Sequence, residues 1–170
     1  YPKYIRTELP ERVTGVDLME NICKQSNENL KIFLLGSENG VADQTKKVLQ
    51  SKYKKINIVD TYEGSPEEKD EKKIIKIIKS SEANMLFVAY GAPAQEMWIK
   101  RNIKKIQNIK VAIGVGGSFD FIGGKHKRAP IWMRKIGIEW FYRLLRQPKR
   151  IIRIYRATVK FPLKVLRIRF

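Results

Sequence analysis

Cys23 and His126 are the sequence's one cysteine and one histidine, so only one thiol–imidazole pair could be built. His126 sits in the basic run Lys125-His126-Lys127-Arg128, the setting of a solvated loop, and Cys23 reads better as a small buried hydrophobe. A single cysteine allows no internal disulfide, and a reducing compartment is its natural home. The stronger signal is glycine closing apolar runs: Gly36 after LKIFLL, Gly91 after MLFVAY, and Gly114, Gly116 and Gly117 around Val115. Glycine at such a place lets backbone approach a ligand and adopt positive φ. Gly36, Gly91 and Gly116 are therefore candidate substrate-binding positions, with ordinary turn chemistry as the plainer reading of each. Neither GxGxxG nor a phosphate-loop lysine pattern occurs, so dinucleotide and ATP binding have no motif behind them.

The segments that must carry these glycines alternate in type. Leu30–Ser37, Ile56–Thr61, Met85–Tyr90 and Val111–Val115 are short and apolar, the pattern of buried strands. Between them, Val41–Tyr53, Pro66–Ser80 and Gln95–Ile106 space their apolar residues as helices do, the second opening on Ser65-Pro66 with proline at its first position. Thr14–Lys24 reads as a further helix, with Val16, Met19 and Cys23 on one face. Strands alternating with amphipathic helices predict an α/β fold: a Rossmann-like parallel sheet with helices on both faces. In such sheets ligands bind at the carboxyl ends of the strands.

Charge divides the chain unevenly. The formal net charge is +18, and residues 125–170 hold fifteen Lys/Arg against one acid, Glu139. Pro130–Arg146 has Trp132, Ile136, Trp140 and Leu144 at helical spacing, and beyond Pro148 a basic stripe through Arg150, Arg153, Arg156, Lys160, Lys164 and Arg167 runs beside many Ile, Leu and Val. A basic stripe along a broad apolar face marks a helix lying in a membrane interface. The expected organisation is thus a Rossmann-like portion over 1–127 and a basic amphipathic helical appendage over 128–170. No stretch reaches the roughly 18 uncharged residues of a membrane span. The chain opens at Tyr1 rather than Met, and its first helix arrives abruptly, so a fragment or a processed product is expected.

Four blocks, in order, resemble the WecG/TagA/CpsF glycosyltransferase family. They are Glu11-Arg12-Val13-Thr14-Gly15-Val16-Asp17-Leu18, Gly91-Ala92-Pro93-Ala94-Gln95-Glu96-Met97-Trp98-Ile99, Gly114-Val115-Gly116-Gly117-Ser118-Phe119-Asp120, and Arg128-Ala129-Pro130 with Gly137-Ile138-Glu139-Trp140-Phe141-Tyr142-Arg143-Leu144-Leu145. The resemblance runs from about Pro10 to the C-terminus. It implies inverting, metal-independent transfer from a UDP-sugar to a polyprenyl-diphosphate-linked sugar at the cytoplasmic membrane face, with no cofactor. Within the family the likeness is to members that add N-acetylmannosamine to undecaprenyl-diphosphate-linked N-acetylglucosamine, starting the wall teichoic acid linkage unit. It also implies the site: Arg12 near the donor diphosphate, Gln95 in the pocket, and Arg143, Arg150 and Arg153 on an appendage folding over the active site. Without a metal, arginine forks must neutralise the leaving diphosphate. Asp120 is the candidate for contact with uracil or ribose, its rival role a turn cap, while Arg143 has a rival role pairing with Glu139.

Two departures stand out. The family's catalytic aspartate and active-site threonine lie upstream of the Glu11-Arg12 block, and nothing in Tyr1–Pro10 supplies them, so this chain is expected to lack the general base. Gly64-Ser65-Pro66 stands where the family often has an aromatic after the glycine. The competing class is a binding module for anionic polymers such as nucleic acid, although long Ile and Leu runs neither read nor stack on bases. Expected partners are the UDP-sugar, the lipid-linked acceptor and an anionic membrane surface rather than nucleic acid, with a homo-oligomer left open. Removing residues 148–170 should abolish co-sedimentation with anionic liposomes; steeply salt-dependent nucleic-acid binding without liposome binding would favour the competing class.

Overall fold

The computed structural model describes residues 13–130 together with Met133, Ile136, Phe141, Tyr142, Leu144, Tyr155, Val159 and Leu163. Most of the expected basic helices, including Trp132, Trp140 and the stripe from Arg150 to Arg167, lies outside the described residues. The chain divides into two compact units, Tyr1–His126 and Lys127–Phe170.

In the first unit a helix leads into four strands: α1 (Gly15–Gln25), β1 (Lys31–Gly36), α2 (Val41–Lys52), β2 (Asn57–Tyr62), α3 (Glu68–Ser80), β3 (Met85–Ala89), α4 (Ala94–Asn102), a short 3-10 turn (Ile103–Lys105), β4 (Val111–Gly114) and α5 (Ser118–Ile122). The strands form one parallel sheet in the order β2-β1-β3-β4. The expected α/β fold is what forms.

Sequence alternation sorts the core into two layers. Ile32 and Leu34 of β1, with Met85 and Phe87 of β3, face the layer built by Val16, Met19 and Cys23 of α1, Leu49 of α2 and Phe119 of α5. Phe33, Leu35, Leu86 and Val88 face the opposite layer, with Ile74 and Ile78 of α3 and Trp98 of α4. Because both faces are covered, β1 and β3 read as unbroken apolar runs rather than as polar–apolar alternation. The helices therefore change sides between the β1–β2 and β2–β3 connections. Cys23 is fully packed, and burial, assisted by the Glu20 carboxylate, pushes its thiol up to about 12, so it behaves as the inert small hydrophobe expected.

Most element ends fall within a residue or two of the sequence reading, and the larger differences lie at α3, α4 and α5. Helix α3 begins at Glu68 rather than at Pro66. Ser65 does not cap it; its hydroxyl accepts from the Glu67 amide at 3.2 Å and donates to Asp70 at 2.7 Å, which holds Pro66 in a separate bend. Helix α4 ends at Asn102 and tightens into the 3-10 turn, where the Ile106 amide reaches Ile103. Helix α5 has no counterpart in the sequence reading, its five residues being too few for a periodic signal.

Helices α3 and α4 are tied by Glu71, whose carboxylate accepts from Arg101 Nε at 2.7 Å and from Lys105 Nζ at 3.4 Å. Arg101 also donates to the Pro66 carbonyl at 2.9 Å, fixing the loop after β2 to α4. Burial alone would raise the Glu71 pKa, but Asn102, Arg101 and Lys105 together hold it below the ordinary carboxylate value. A lowered folded-state pKa stabilises the fold above the unfolded value of about 4.3 and loses that contribution as pH falls through the folded one. Glu71→Gln should therefore cost about 1–2 kcal/mol at pH 7. In urea unfolding, the gap between variant and parent should close as pH drops below about 4; a gap that stays constant with pH would contradict this account.

Candidate functional site

The direction in which strands are added to the sheet reverses between β1 and β3, since β1 continues outward to β2 and the next crossover returns past β1 to β3. Loops leaving adjacent strands at such a point diverge to opposite faces and leave a crevice between them. Here the crevice is a cavity of about 300 Å³ at the carboxyl ends of the strands. Ser37 and Glu38 contribute from the loop after β1, and Gly64, Ser65 and Pro66 from the loop after β2. Ala89 and Tyr90 come from the end of β3, Asp120 from α5 and Lys125 from the segment behind it.

At the ends of β1 and β4, glycine is required by contact. Gly36, at φ +101°, pairs with Ala89 in register, and a Cβ there would lie 2.9 Å from the Ala89 carbonyl carbon. Any side chain would push β1 and β3 apart at the mouth of the crevice. The loop stays tight beyond it: Ser37 and Asn39 take positive φ at 68° and 59°, and Gly40 follows at 72°. Left-handed conformations at non-glycine residues cost roughly 1–2 kcal/mol. The turn is held in part by Glu63, whose carboxylate accepts from the Gly40 amide at 2.6 Å.

The second glycine is Gly114, at the end of β4. A Cβ there would sit 2.5 Å from Gln95 Nε2 and 2.8 Å from Gln95 Cδ, so the glutamine side chain lies flat against the strand. Gln95 is buried in the first turn of α4, where it accepts from the Gly116 amide at 2.8 Å and donates to Glu96 at 2.8 Å. Its amide thus pins the β4–α5 turn that leads into the helix carrying Asp120. Helix α1 braces the same turn from the other face: Gly15 packs closely on the Val115 carbonyl and the Ser118 hydroxyl, and Thr14 caps α1 by accepting from the Asp17 amide at 3.3 Å. The first, second and third sequence blocks therefore converge on one turn.

Asp120 faces the cavity, its carboxylate 3.8 Å from Lys125 Nζ, while its backbone carbonyl accepts from the His126 amide at 2.9 Å. Tyr90 forms a wall; its ring meets Trp98 edge-on with centroids 6.2 Å apart, and burial, with the Asp70 charge, raises its phenol well above the ordinary range. Burial thus favours the protonated phenol.

The structure brings Gln95 and Gly116 into direct contact and sets Asp120 in the cavity, with Gly36 immediately before Ser37 and Gly91 immediately after Tyr90. Arg12, Arg143, Arg150 and Arg153 lie outside the described residues. Ser37, Glu38, Ser65, Tyr90 and Lys125 were not singled out from sequence as site residues. Four of them do follow a strand directly or nearly so, and strand-end position was the signal available. Lys125 had none, since it was indistinguishable within the basic run. No group of three or more metal-ligating side chains occurs among the described residues, and no described helix is long and apolar enough to cross a membrane.

Comparison with known proteins follows the same lines. The model of the glycosyl transferase WecG/TagA/CpsF family matches residues 2–170. The chain is 36% identical over 151 residues to N-acetylglucosaminyldiphosphoundecaprenol N-acetyl-beta-D-mannosaminyltransferases of Staphylococcus aureus strains MRSA252, MW2 and NCTC 8325. Those alignments cover 88% of this chain and 58% of each relative, so the chain spans rather more than half of their length.

The contact between Gln95 and Gly114 makes their substitutions interdependent. Gly114→Ala should destabilise the fold by about 1–3 kcal/mol through overpacking. In a Gln95→Ala background, where the obstructing amide is gone, most of that penalty should vanish. Urea unfolding of the four proteins measures the coupling; strictly additive losses would show that the side chain does not brace the turn.

Proposed function

This chain belongs to the WecG/TagA/CpsF glycosyltransferase family, and from that premise we propose that it supplies the donor-nucleotide half of a UDP-sugar-dependent transferase. The observation that carries the reading is the crevice at the β1/β3 switch point, with Asp120 presented into it by a turn that Gln95 and α1 hold from both sides. A carboxylate fixed in a crevice suits the hydroxyls of a ribose or the imide of a uracil, because it accepts hydrogen bonds from both. Gln95 then acts as a positioning residue through the Gly116 turn. Gly36, Gly91 and Gly116 let backbone line the path of the ligand.

The finer assignment follows from the relatives, whose names describe mannosaminyl transfer to N-acetylglucosaminyldiphosphoundecaprenol. The donor is UDP-N-acetylmannosamine and the acceptor undecaprenyl-diphosphate-linked N-acetylglucosamine, as in wall teichoic acid linkage-unit synthesis. In an inverting step the acceptor oxygen attacks the anomeric carbon as the bond to the UDP oxygen breaks, and a general base takes the acceptor proton. Arg12, Arg143, Arg150 and Arg153 are assigned to the charge that develops on the departing diphosphate, a task needing no metal. The basic end brings the chain to the cytoplasmic face of the membrane, where the lipid-linked acceptor resides.

The deciding experiment is glycosyl transfer from UDP-N-acetylmannosamine to a short-chain lipid-diphosphate N-acetylglucosamine. This chain is assayed beside a protein carrying the further length that the relatives have. Product from the longer protein alone is expected. Product from this chain as well would place the base within it, with Asp120 the first suspect, and no product from either with any UDP-sugar would end the enzyme reading.

A further inference from the structure

Two carboxylates, Glu38 and Asp120, line the crevice, which is a poor beginning for a site that must accept a diphosphate. Among the described lining residues there is one cation to offset them, Lys125. Its placement is not that of a surface lysine at the end of a loose loop. Gly123 packs where a Cβ would meet the Phe119 carbonyl, the Thr45 hydroxyl and the Val41 carbonyl at 3.0–3.2 Å, so the chain leaving α5 is pressed against the start of α2. Gly124 then turns at φ +81°. Behind the lysine, the His126 amide closes the loop onto the Asp120 carbonyl at 2.9 Å, and the His126 ring meets Phe121 edge-on. Lys125 is thus the free position in a loop fastened on both sides.

What the ammonium does there is telling. At 3.8 Å from Asp120 Oδ1 it is near enough for attraction but too far for a hydrogen bond, and it makes no hydrogen bond among the described residues. Its side chain is 42% exposed, against 22% for Asp120. All three N–H donors of the ammonium therefore remain available to a ligand in the crevice. A ligand bearing hydroxyls at one end and an anion beside them would satisfy both members of the pair. Asp120 takes the hydroxyls, and Lys125 turns from a loose ion pair to a short, charge-assisted contact with the anion.

We infer that Lys125 is a donor-binding residue contacting a phosphate oxygen of the nucleoside diphosphate, with Asp120 holding the nucleoside beside it. This rests on the reading of the crevice as the donor site, and titration calorimetry on the full chain separates the two. Uridine and UDP are each titrated into the parent, Lys125→Gln and Lys125→Arg. Parent protein should bind both ligands, UDP more tightly. Lys125→Gln should lose about ten- to a hundredfold in UDP affinity while holding uridine within about twofold, the uridine arm also proving the variant folded. Lys125→Arg should retain much of the UDP affinity, because the charge is kept.

If the parent binds neither ligand, the donor-site reading fails and the inference falls with it. If the parent binds both and Lys125→Gln binds UDP equally well, the inference alone is overturned. An equal loss of uridine and UDP in Lys125→Gln would also overturn it, since the lysine would then act on the nucleoside through Asp120.

Discussion

Everything in the first unit depends on the parallel pairing of β1 with β3. Ile32 through Leu35 pair in register with Met85 through Val88, and nearly all these side chains are inaccessible to solvent. Parallel strands cannot be joined by a tight turn, so every connection must cross a face, and right-handed crossovers then dictate which face. Because β2 lies to one side of β1 and β3 to the other, α2 is forced onto one face and α3 with α4 onto the other. The crevice is the geometric residue of that choice. Gly36 is where the constraint is tightest, since it must sit against the Ala89 backbone while turning the chain away from it.

The sequence made the strands and helices legible because burial on both faces leaves a plain signature: apolar runs of strand length, each followed by helical spacing. Where it misled, a local hydrogen bond outcompeted a statistical preference. Ser65-Pro66 has the composition of a helix start, yet the Ser65 hydroxyl turns to Glu67 and Asp70 and sets Pro66 in its own bend. Helix α5 was invisible for a different reason, being too short to show a period. The site was legible only in part. Asp120 and the glycines stand out by type and position, but the link between Gln95 and Gly116 joins residues 21 apart in sequence through a side chain, and no spacing rule reports it. Lys125 was hidden by its neighbours, since one tethered cation looks like any other in a basic run.

Gln95 illustrates how a polar side chain can be conscripted by a glycine. Were β4 to end in any residue larger than Gly114, the amide would have no room to lie against the strand, and the Gly116 N–H would lose a buried acceptor. A hydrogen-bonding group left unpaired in a half-buried turn costs on the order of 1–3 kcal/mol. The turn, and Asp120 with it, is therefore specified by two residues together. Helix α1 completes the arrangement from the opposite face, where Gly15 permits an approach to Val115 and Ser118 that no side chain would allow.

The same economy explains why this fold dispenses with the glycine-rich phosphate fingerprint. In dinucleotide-binding sheets the diphosphate sits on the helix that follows the first strand, where free N–H groups and the helix dipole attract it. Here the equivalent position, the start of α2, is already met by a carboxylate of the protein itself, Glu63 on the Gly40 amide at 2.6 Å. A phosphate approaching that amide would have to displace an anion held at short range and would be repelled by it meanwhile. Any diphosphate bound in the crevice is thus steered off the Gly40 amide and toward the ammonium of Lys125. An open sheet of this kind can keep the switch-point crevice while changing which of its edges carries the positive charge.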